Sequence, residues 1–227
     1  MTTAHARTLI RERDLHLLPR DALVKTNDLD QADWNFRPVL GWVQRLRMRC
    51  VAAVLADAPR AARLLEVGYG SGVFLPELAR NADLAFGADV HEAGAAVSEV
   101  LAAHGSPARL LRASAGALPY RDGSFDAVVT VSTLEFVPDV AAAVAELARV
   151  TRPGGRLVIV NPGQSPLLDL GLRLLTGERA EDTFEGRRGF VVPAVEQTAR
   201  IVEIRTLPPL VGRRILPLYR VIVATRT

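Results

Sequence analysis

Residues 64–72 read Leu64-Leu65-Glu66-Val67-Gly68-Tyr69-Gly70-Ser71-Gly72, with three glycines placed directly after a short apolar run. The apolar run predicts a strand, and the glycines let the backbone turn tightly and let a ligand approach the main chain. The helix expected after this turn begins with N–H groups that have no partner within the helix. Asp89 ends the next predicted strand, 21 residues after Gly68, where a carboxylate can accept two hydrogen bonds from ribose hydroxyls. This part of the chain therefore predicts a site for a ribose-bearing ligand.

Two ligand classes fit that arrangement: dinucleotides and S-adenosylmethionine. The dinucleotide fingerprint G-x-G-x-x-G needs a third glycine for close packing of helix on strand, and Val73 occupies that position here. Glu66 places a negative charge close to the loop, which disfavours a phosphate and favours an ammonium or sulfonium group. The residues thus favour a cationic ligand that carries a ribose.

Short β-branched runs alternate with longer Ala- and Leu-rich stretches from about residue 63 to residue 161. Strands are predicted at Arg63–Val67, Leu84–Asp89, Ala108–Arg112, Phe125–Val131 and Gly155–Asn161, and helices at Gly72–Asn81, Ala93–His104 and Val140–Thr151. Two later strands are predicted at Val195–Arg205 and Leu218–Thr225, joined as a long hairpin by the Pro-rich residues 207–217. This alternation is typical of a parallel sheet covered by helices on both faces.

Five segments, in the expected order, resemble the motifs of the class I S-adenosylmethionine-dependent methyltransferases of the type 11 kind. Glu66 to Gly72 resembles their glycine motif, and Gly87-Ala88-Asp89-Val90 resembles their acidic second-strand motif. The other three are Leu118-Pro119-Tyr120-Arg121-Asp122-Gly123-Ser124-Phe125-Asp126, Leu134-Glu135-Phe136-Val137-Pro138-Asp139, and Glu146 to Val160. The resemblance spans roughly residues 63–161 and implies that S-adenosylmethionine is the cofactor.

The resemblance also implies the fold. It predicts one α/β domain over residues 1–227, with a Rossmann-like, mostly parallel seven-stranded sheet, an antiparallel last strand, and helices on both faces. Within that domain, residues 1–57 would form an N-terminal helical cap and residues 58–161 the cofactor-binding core. Residues 162–227 would supply a substrate-side insertion and the final strands.

The resemblance assigns cofactor contacts residue by residue. Glu66 and the main chain of Gly68 and Gly70 would hold the ammonium end of the methionine part, with Ser132 beside it. Asp89 would bind the ribose hydroxyls and Val90 would pack on the adenine. The adenine edge would meet Ser114 and Ala115, although the family usually has Asp at the first of these two positions. Tyr69 either contacts the cofactor or substrate or simply packs.

The composition of the 227 residues excludes several kinds of protein. Hydrophobic residues make up 49% and charged residues 23%, which is ordinary for a folded domain. The single cysteine, Cys50, allows no intrachain disulfide, and the four histidines are not spaced as metal ligands. A net charge of +3 without a concentrated basic stripe argues against a nucleic-acid partner. Because there is neither an apolar run of about 18 residues nor a signal-peptide pattern, a cytoplasmic protein is expected.

The expected reaction is methyl transfer to a small, apolar acceptor, either lipid-like or a secondary metabolite. The acceptor prediction depends on residues 166–175, in which six of ten residues are Leu. This segment is expected to form either an apolar lid over the acceptor or a face that touches lipid or a membrane surface. Two residues are candidates for a catalytic base, His91 and Glu135. The family often has His where this chain has Phe136.

Two other functions fit parts of the pattern. One is a nicotinamide-dependent oxidoreductase, which Val73 and the downstream motifs oppose. The other is a protein that keeps the fold without transferring a methyl group, either a cofactor-assisted cyclase or a non-catalytic partner of another enzyme. The oligomeric state is not indicated by the sequence.

Overall fold

The computed structural model describes residues 14–27, 30, 32–163, 189–207 and 218–227. Its centre is a seven-stranded sheet in the order β3-β2-β1-β4-β5-β7-β6. The strands are β1 (Ala61–Val67), β2 (Ala82–Asp89), β3 (Arg109–Arg112), β4 (Phe125–Val131), β5 (Thr151–Pro162), β6 (Arg200–Leu207) and β7 (Tyr219–Thr225). β1 to β5 pair in parallel with their neighbours, whereas β7 runs antiparallel to both β5 and β6. The predicted mostly parallel sheet with an antiparallel last strand is therefore confirmed.

The strand order reverses between β1 and β4. The chain builds outward from β1 to β2 and β3, and then returns to place β4 on the other side of β1. Open parallel sheets bind ligands beyond the carboxyl ends of their strands at such a reversal. The glycine loop after β1 and the residues after β4 lie side by side at this point.

Helices cover both faces of the sheet, as predicted. One face packs against α1 (Pro38–Ala56), α2 (Leu75–Ala79) and α3 (Gly94–Ala103), and the other against α4 (Val140–Val150) and α5 (Val191–Thr198). In α4, Val140, Val144 and Leu147 recur at helical spacing and are buried. The side chain of Asp139 begins this helix by accepting a 2.9 Å hydrogen bond from the Ala142 N–H.

Helix α1 runs antiparallel to the central strands. Near its carboxyl end, the Val54 carbonyl accepts a hydrogen bond from Arg156, in the first half of β5. Earlier in the helix, Arg47 reaches Ser132, just beyond the carboxyl end of β4. The first turns of α1 therefore lie at the carboxyl edge of the sheet, which is the edge where the strand order reverses.

Two predicted elements need correction. The strand predicted at Val195–Arg205 is wrong in its first half, where the chain forms α5 (Val191–Thr198) before β6 begins at Arg200. The β-branched valines favoured a strand, but Val191, Ala194 and Val195 are buried together at helical spacing against α4. The predicted helix at Gly72–Asn81 is only the five residues of α2, and Gly72, at a φ of +72°, lies in the turn before it.

The last two strands form the predicted hairpin, since β6 and β7 are adjacent in the chain and pair antiparallel. Residues 208–217, which connect them, lie outside the described residues, as does the Leu-rich segment 166–175. In the part of the chain that is described, none of the helices combines the length and the apolar character needed to cross a membrane.

Candidate active site

The glycine loop leaves β1 in a left-handed conformation. Gly68 has a φ of +80° and donates a 2.8 Å hydrogen bond from its N–H to the Ala88 carbonyl of β2. A methyl group on Gly68 would overlap with the side chain of Thr133. Glycine is therefore needed here both for the backbone angle and for close contact with the chain after β4.

Gly70 is different, because its missing side chain would point into open space. Its φ is +51°, and no atom lies within 4 Å of the position that a Cβ would take. The loop thus presents bare main chain at the carboxyl edge, which is the surface that a ligand needs in order to lie across it.

Asp89, at the end of β2, faces this loop. One carboxylate oxygen accepts a 2.8 Å hydrogen bond from the Gly70 N–H, and the other accepts a 2.7 Å hydrogen bond from the Val90 N–H. Each oxygen keeps a second lone pair, so the carboxylate can also accept from two hydroxyl groups of a ribose. The same side chain therefore holds the loop in place and offers the acceptor atoms that a ribose requires.

Both ring nitrogens of His91 contact main-chain groups next to the glycine loop. Its ring is buried, Nδ1 accepts a 3.1 Å hydrogen bond from the Ala93 N–H, and Nε2 lies 3.0 Å from the Gly70 carbonyl. Because Nδ1 accepts, Nε2 carries the proton and donates it to Gly70. In this arrangement, neither ring nitrogen has a free lone pair that could take a proton from the methyl acceptor. His91 stays a predicted candidate for a base, and its hydrogen bonds in this structure favour a supporting role.

Tyr69 is also packed beneath the loop. Its ring meets that of His91 edge to face, with centroids 4.9 Å apart, and fills the space that side chains at Gly87 and Gly94 would occupy. Burial, and then the charge of Asp89, raise the pKa of its hydroxyl to about 12. Tyr69 therefore stays a predicted cofactor contact, and its neutral side chain packs beneath the loop.

The predicted adenine contacts lie beyond the ends of β2 and β3. Val90 follows Asp89 and is 59% exposed, an apolar surface next to the ribose acceptor. Ser114 is exposed, and its Oγ accepts a 3.3 Å hydrogen bond from the Gly116 N–H, while Ala115 is buried. These residues stay predicted contacts, and Ser114 offers a hydroxyl where an Asp would offer a charge.

Glu66 lies inside the protein on the α1 side of the sheet. It is 3% exposed, and its Oε2 has no hydrogen-bond partner within the described residues. Its pKa is raised from the ordinary 4.5 to about 8, mainly by burial and then by the charge of Asp89, while the charge of Arg47 opposes the rise. A buried carboxylate of this kind is stabilised when a cation binds next to it.

Arg47 is a residue of this site that sequence reasoning missed. It comes from α1, and its Nη1 donates a 2.5 Å hydrogen bond to Ser132 Oγ. It is one of eight arginines in residues 1–57, so nothing in the sequence distinguishes it from the arginines that face solvent. Only the packing of α1 on the sheet brings this guanidinium to the carboxyl edge.

The segment after β4 forms the other side of the site. Glu135 is buried in the short 3-10 helix Leu134–Phe136, and Phe136 is 42% exposed next to it. Glu135 stays a predicted candidate for a base, held within the wall of the site.

The fold and this loop together define an α/β protein with a nucleoside site at the reversal of its strand order. Comparison with known proteins identifies the family, since residues 65–159 match the model of the methyltransferase domain. The chain is 33% identical over 168 residues to the phosphatidylethanolamine N-methyltransferase of Cereibacter sphaeroides, covering 71% of this chain and 79% of that protein. The chain belongs to the S-adenosylmethionine-dependent methyltransferases.

Two further comparisons agree with this family. Over 130 residues the chain is 39% identical to the demethylmenaquinone methyltransferase of Roseiflexus castenholzii, covering 54% of this chain and 53% of that protein. The chain thus spans about half the length of that relative. The crystal structure of a SAM-dependent methyltransferase from Aquifex aeolicus has the same fold, with a TM-score of 0.59 over 77% of this chain and 88% of that chain at 18% identity.

The cofactor of the family is S-adenosylmethionine, and the residues present fit it. Gly70 leaves open space for a ligand to cross the loop, and Asp89 has lone pairs for two hydroxyls. Glu66 provides a buried carboxylate for a cation. The nicotinamide alternative has no support from these comparisons.

The two loop glycines give a matched pair of substitutions. Gly70→Ala should keep the fold, at a cost of about 1–2 kcal/mol for the left-handed angle, because nothing lies where the methyl group would point. The methyl group would meet the cofactor instead, so we expect S-adenosylhomocysteine to bind about tenfold more weakly. Gly68→Ala should cost about 1–3 kcal/mol more in stability, because its methyl group also overlaps with Thr133.

Urea unfolding and calorimetric titration with S-adenosylhomocysteine measure both effects. Unchanged affinity in a folded Gly70→Ala protein would show that the cofactor does not cross this glycine.

Proposed function

We propose that this methyltransferase acts on a small, apolar acceptor of the quinol or lipid-like kind. Two relatives support the acceptor class, since their names describe methylation of demethylmenaquinone and of phosphatidylethanolamine. The observation that carries the proposal is a pair of exposed aromatic side chains, Trp42 and Phe136, on elements that reach the carboxyl edge of the sheet.

Both aromatic residues belong to the carboxyl edge of the sheet. Trp42 precedes Arg47 by five residues in α1, so it lies further along the helix in the direction of that edge, and it is 51% exposed. Phe136 follows β4 and is 42% exposed. An exposed Trp and Phe at the same edge favour an apolar ligand, because burying each ring under that ligand is favourable.

The chemistry needs positioning more than it needs a reactive side chain. When bound, S-adenosylmethionine supplies a methyl group on a sulfonium that is already activated for in-line displacement. Asp89, Glu66 and the main chain of the glycine loop would fix the position of that methyl group. Phe136 and Trp42 would hold the acceptor against it and exclude water from the space between.

The proposal assigns no general base. Both nitrogens of His91 are bound to main-chain groups, and burial keeps Tyr69 protonated. An acceptor atom that is nucleophilic without prior loss of a proton, or that loses it to water, is compatible with this arrangement.

A transfer assay with radiolabelled methyl groups tests the acceptor class. The acceptors are a short-chain demethylmenaquinol, phosphatidylethanolamine in detergent micelles and, as polar controls, glycine and a mixed oligonucleotide. We expect transfer to at least one of the first two and none to the polar controls. Transfer to a polar control alone would overturn the proposal.

Phe136→Asp should then raise the KM for the productive acceptor about tenfold, because part of the apolar contact is lost and a charge is introduced. The dissociation constant of S-adenosylhomocysteine should stay within about twofold. Val202→Asp is the matched control, since Val202 is 58% exposed on β6, at the far edge of the sheet. Equal KM values in all three proteins would show that the acceptor does not touch Phe136.

A further inference from the structure

We propose that Arg47 binds the α-carboxylate of the cofactor, opposite Glu66, which binds the α-ammonium. The N-terminal helix α1 would then supply part of the cofactor site itself and not only the cover over the acceptor. No residue of α1 is among the contacts that the family resemblance implies for this chain.

Arg47 is held firmly at the site by contacts on one side of its guanidinium. Nη1 donates to Ser132 Oγ at 2.5 Å and lies 3.5 Å from the hydroxyl of Tyr219. The guanidinium carbon lies 5.1 Å from the centre of the Tyr219 ring, within the range of a cation–π contact. These contacts orient the charged group and leave other N–H groups of the fork to bind a ligand.

One of the remaining N–H groups of Arg47, at Nε, is buried. Arg47 Nε is buried and has no hydrogen-bond partner among the residues that the structure describes. Glu66 Oε2 is in the same situation. Buried polar atoms are nearly always paired in folded proteins, so these two atoms of opposite charge, one on α1 and one on β1, point to a polar ligand that pairs with both.

The charges of the two residues are close to each other. The charge of Arg47 lowers the pKa of Glu66, yet within the described ranges neither Arg47 Nε nor Glu66 Oε2 has a hydrogen-bond partner. A positive group on one side and a negative group on the other are complementary to an α-amino acid, which carries a carboxylate and an ammonium on one carbon. The methionine part of S-adenosylmethionine is such a group.

The backbone at Ser132 supports this assignment. Its φ is +54°, and among the described residues it is the one non-glycine position with a positive φ. A serine in that conformation costs about 1 kcal/mol or more and persists where the surroundings require it. Here the strained residue presents its hydroxyl to Arg47, immediately after β4 and beside the glycine loop.

Three ligands that differ in their charged groups distinguish the contact of Arg47 with the α-carboxylate from all other contacts of the cofactor. S-adenosylhomocysteine carries both charged groups, its decarboxylated analogue carries only the ammonium, and 5′-methylthioadenosine carries neither. Calorimetric titration of Arg47→Met should show S-adenosylhomocysteine bound about 10- to 100-fold more weakly, the loss expected for one hydrogen bond between charged groups. The affinities for the other two ligands should stay within about twofold of wild type.

Glu66→Gln should give a different pattern with the same ligands. It should weaken S-adenosylhomocysteine and the decarboxylated analogue alike and spare 5′-methylthioadenosine. Arg49→Met is the control for loss of an arginine from α1 and should change none of the three affinities. Arg47→Lys keeps a cation without the planar fork and should show an intermediate loss for S-adenosylhomocysteine alone.

Two results would overturn the proposal. If Arg47→Met binds S-adenosylhomocysteine as tightly as wild type, the carboxylate is bound elsewhere. If the variant weakens all three ligands equally, Arg47 only supports the fold of the site, and Arg47→Lys decides the same question should Arg47→Met fail to fold. Neither result depends on the methyl acceptor, so the transfer assay tests the proposed reaction independently of these binding measurements.

Discussion

An Asp89→Ala variant should bind S-adenosylhomocysteine about 100-fold more weakly than wild type, or not measurably. The substitution removes the carboxylate that is expected to accept hydrogen bonds from two ribose hydroxyls. Each hydrogen bond to a charged acceptor contributes about 1.5–3 kcal/mol to the binding free energy. It also removes the 2.8 Å hydrogen bond that ties Gly70 to β2, so the main chain of the loop loses its fixed position. Because every 1.4 kcal/mol is about tenfold in affinity, the two ribose contacts alone account for this loss.

Asp83→Ala is the matched control on the same strand. Asp83 is exposed near the start of β2, where it pairs with Arg60 at 2.7 Å on the surface. Exposed ion pairs contribute about 1 kcal/mol or less to stability, and this one lies at the opposite edge of the sheet from the loop. Calorimetric titration of both folded variants should show full affinity in Asp83→Ala. Wild-type affinity in Asp89→Ala would remove Asp89 from the cofactor site.

Binding of S-adenosylhomocysteine should strengthen as the pH rises from 6 to about 8 and then level off. The pKa of Glu66 in the folded protein is raised to about 8, mainly by burial, so below that pH the carboxyl group is mostly protonated. The ammonium of the ligand binds the ionised form, and binding therefore releases a proton. If only the ionised form binds, the affinity changes by about tenfold per pH unit below the pKa of Glu66.

Calorimetry in two buffers with different ionisation enthalpies measures the released proton directly. Glu66→Gln should bind more weakly and lose this pH dependence. A wild-type protein that releases no proton at pH 6.5, or a Glu66→Gln variant with the same pH profile, would contradict the assigned role.

The raised pKa of Glu66 makes the stability of the ligand-free protein fall with rising pH, whereas it makes ligand binding stronger. Between its ordinary value of 4.5 and about 8, Glu66 binds a proton in the folded protein but not in the unfolded chain. The free energy of unfolding therefore falls as the pH rises through that window. Glu66→Gln removes this loss, so its unfolding midpoint should drop less than that of wild type between pH 5 and pH 8. Glu66 thus lowers the stability of the ligand-free protein, a loss that the proposed contact with a cation would offset.

Most of the sheet could be predicted because the information is local. β1, β2 and β4 are short runs of buried apolar residues that end in turns, and α4 has its apolar residues at helical spacing with an Asp at its start. The error at α5 has the opposite cause. Its valines favour a strand locally, and only the groove beside α4 selects the helix, a tertiary effect that a window of sequence does not contain.

The residues of the candidate site also include some that local sequence predicts and some that it does not. Glu66, the loop glycines and Asp89 could be predicted because consecutive elements of the chain bring them together. Arg47 could not, because 85 residues separate it from Ser132 and only the packing of α1 brings the two side chains into contact. The hydrogen bonds of His91 to main-chain groups also could not be predicted, because they are visible only in three dimensions.

The position of β7 bears on how the chain matures during synthesis. β7 leaves the ribosome after the other six strands of this sheet, yet it lies inside the sheet, where Val221, Ile222 and Ala224 are completely buried. β5 and β6 pair with β7 and not with each other, so β6 has no neighbour until residues 219–225 are available. Until then β5 is an open edge, a place where a growing chain can pair with the wrong partner. A nascent chain stopped before residue 219 should accordingly need a chaperone to stay monomeric, and one completed through residue 225 should not.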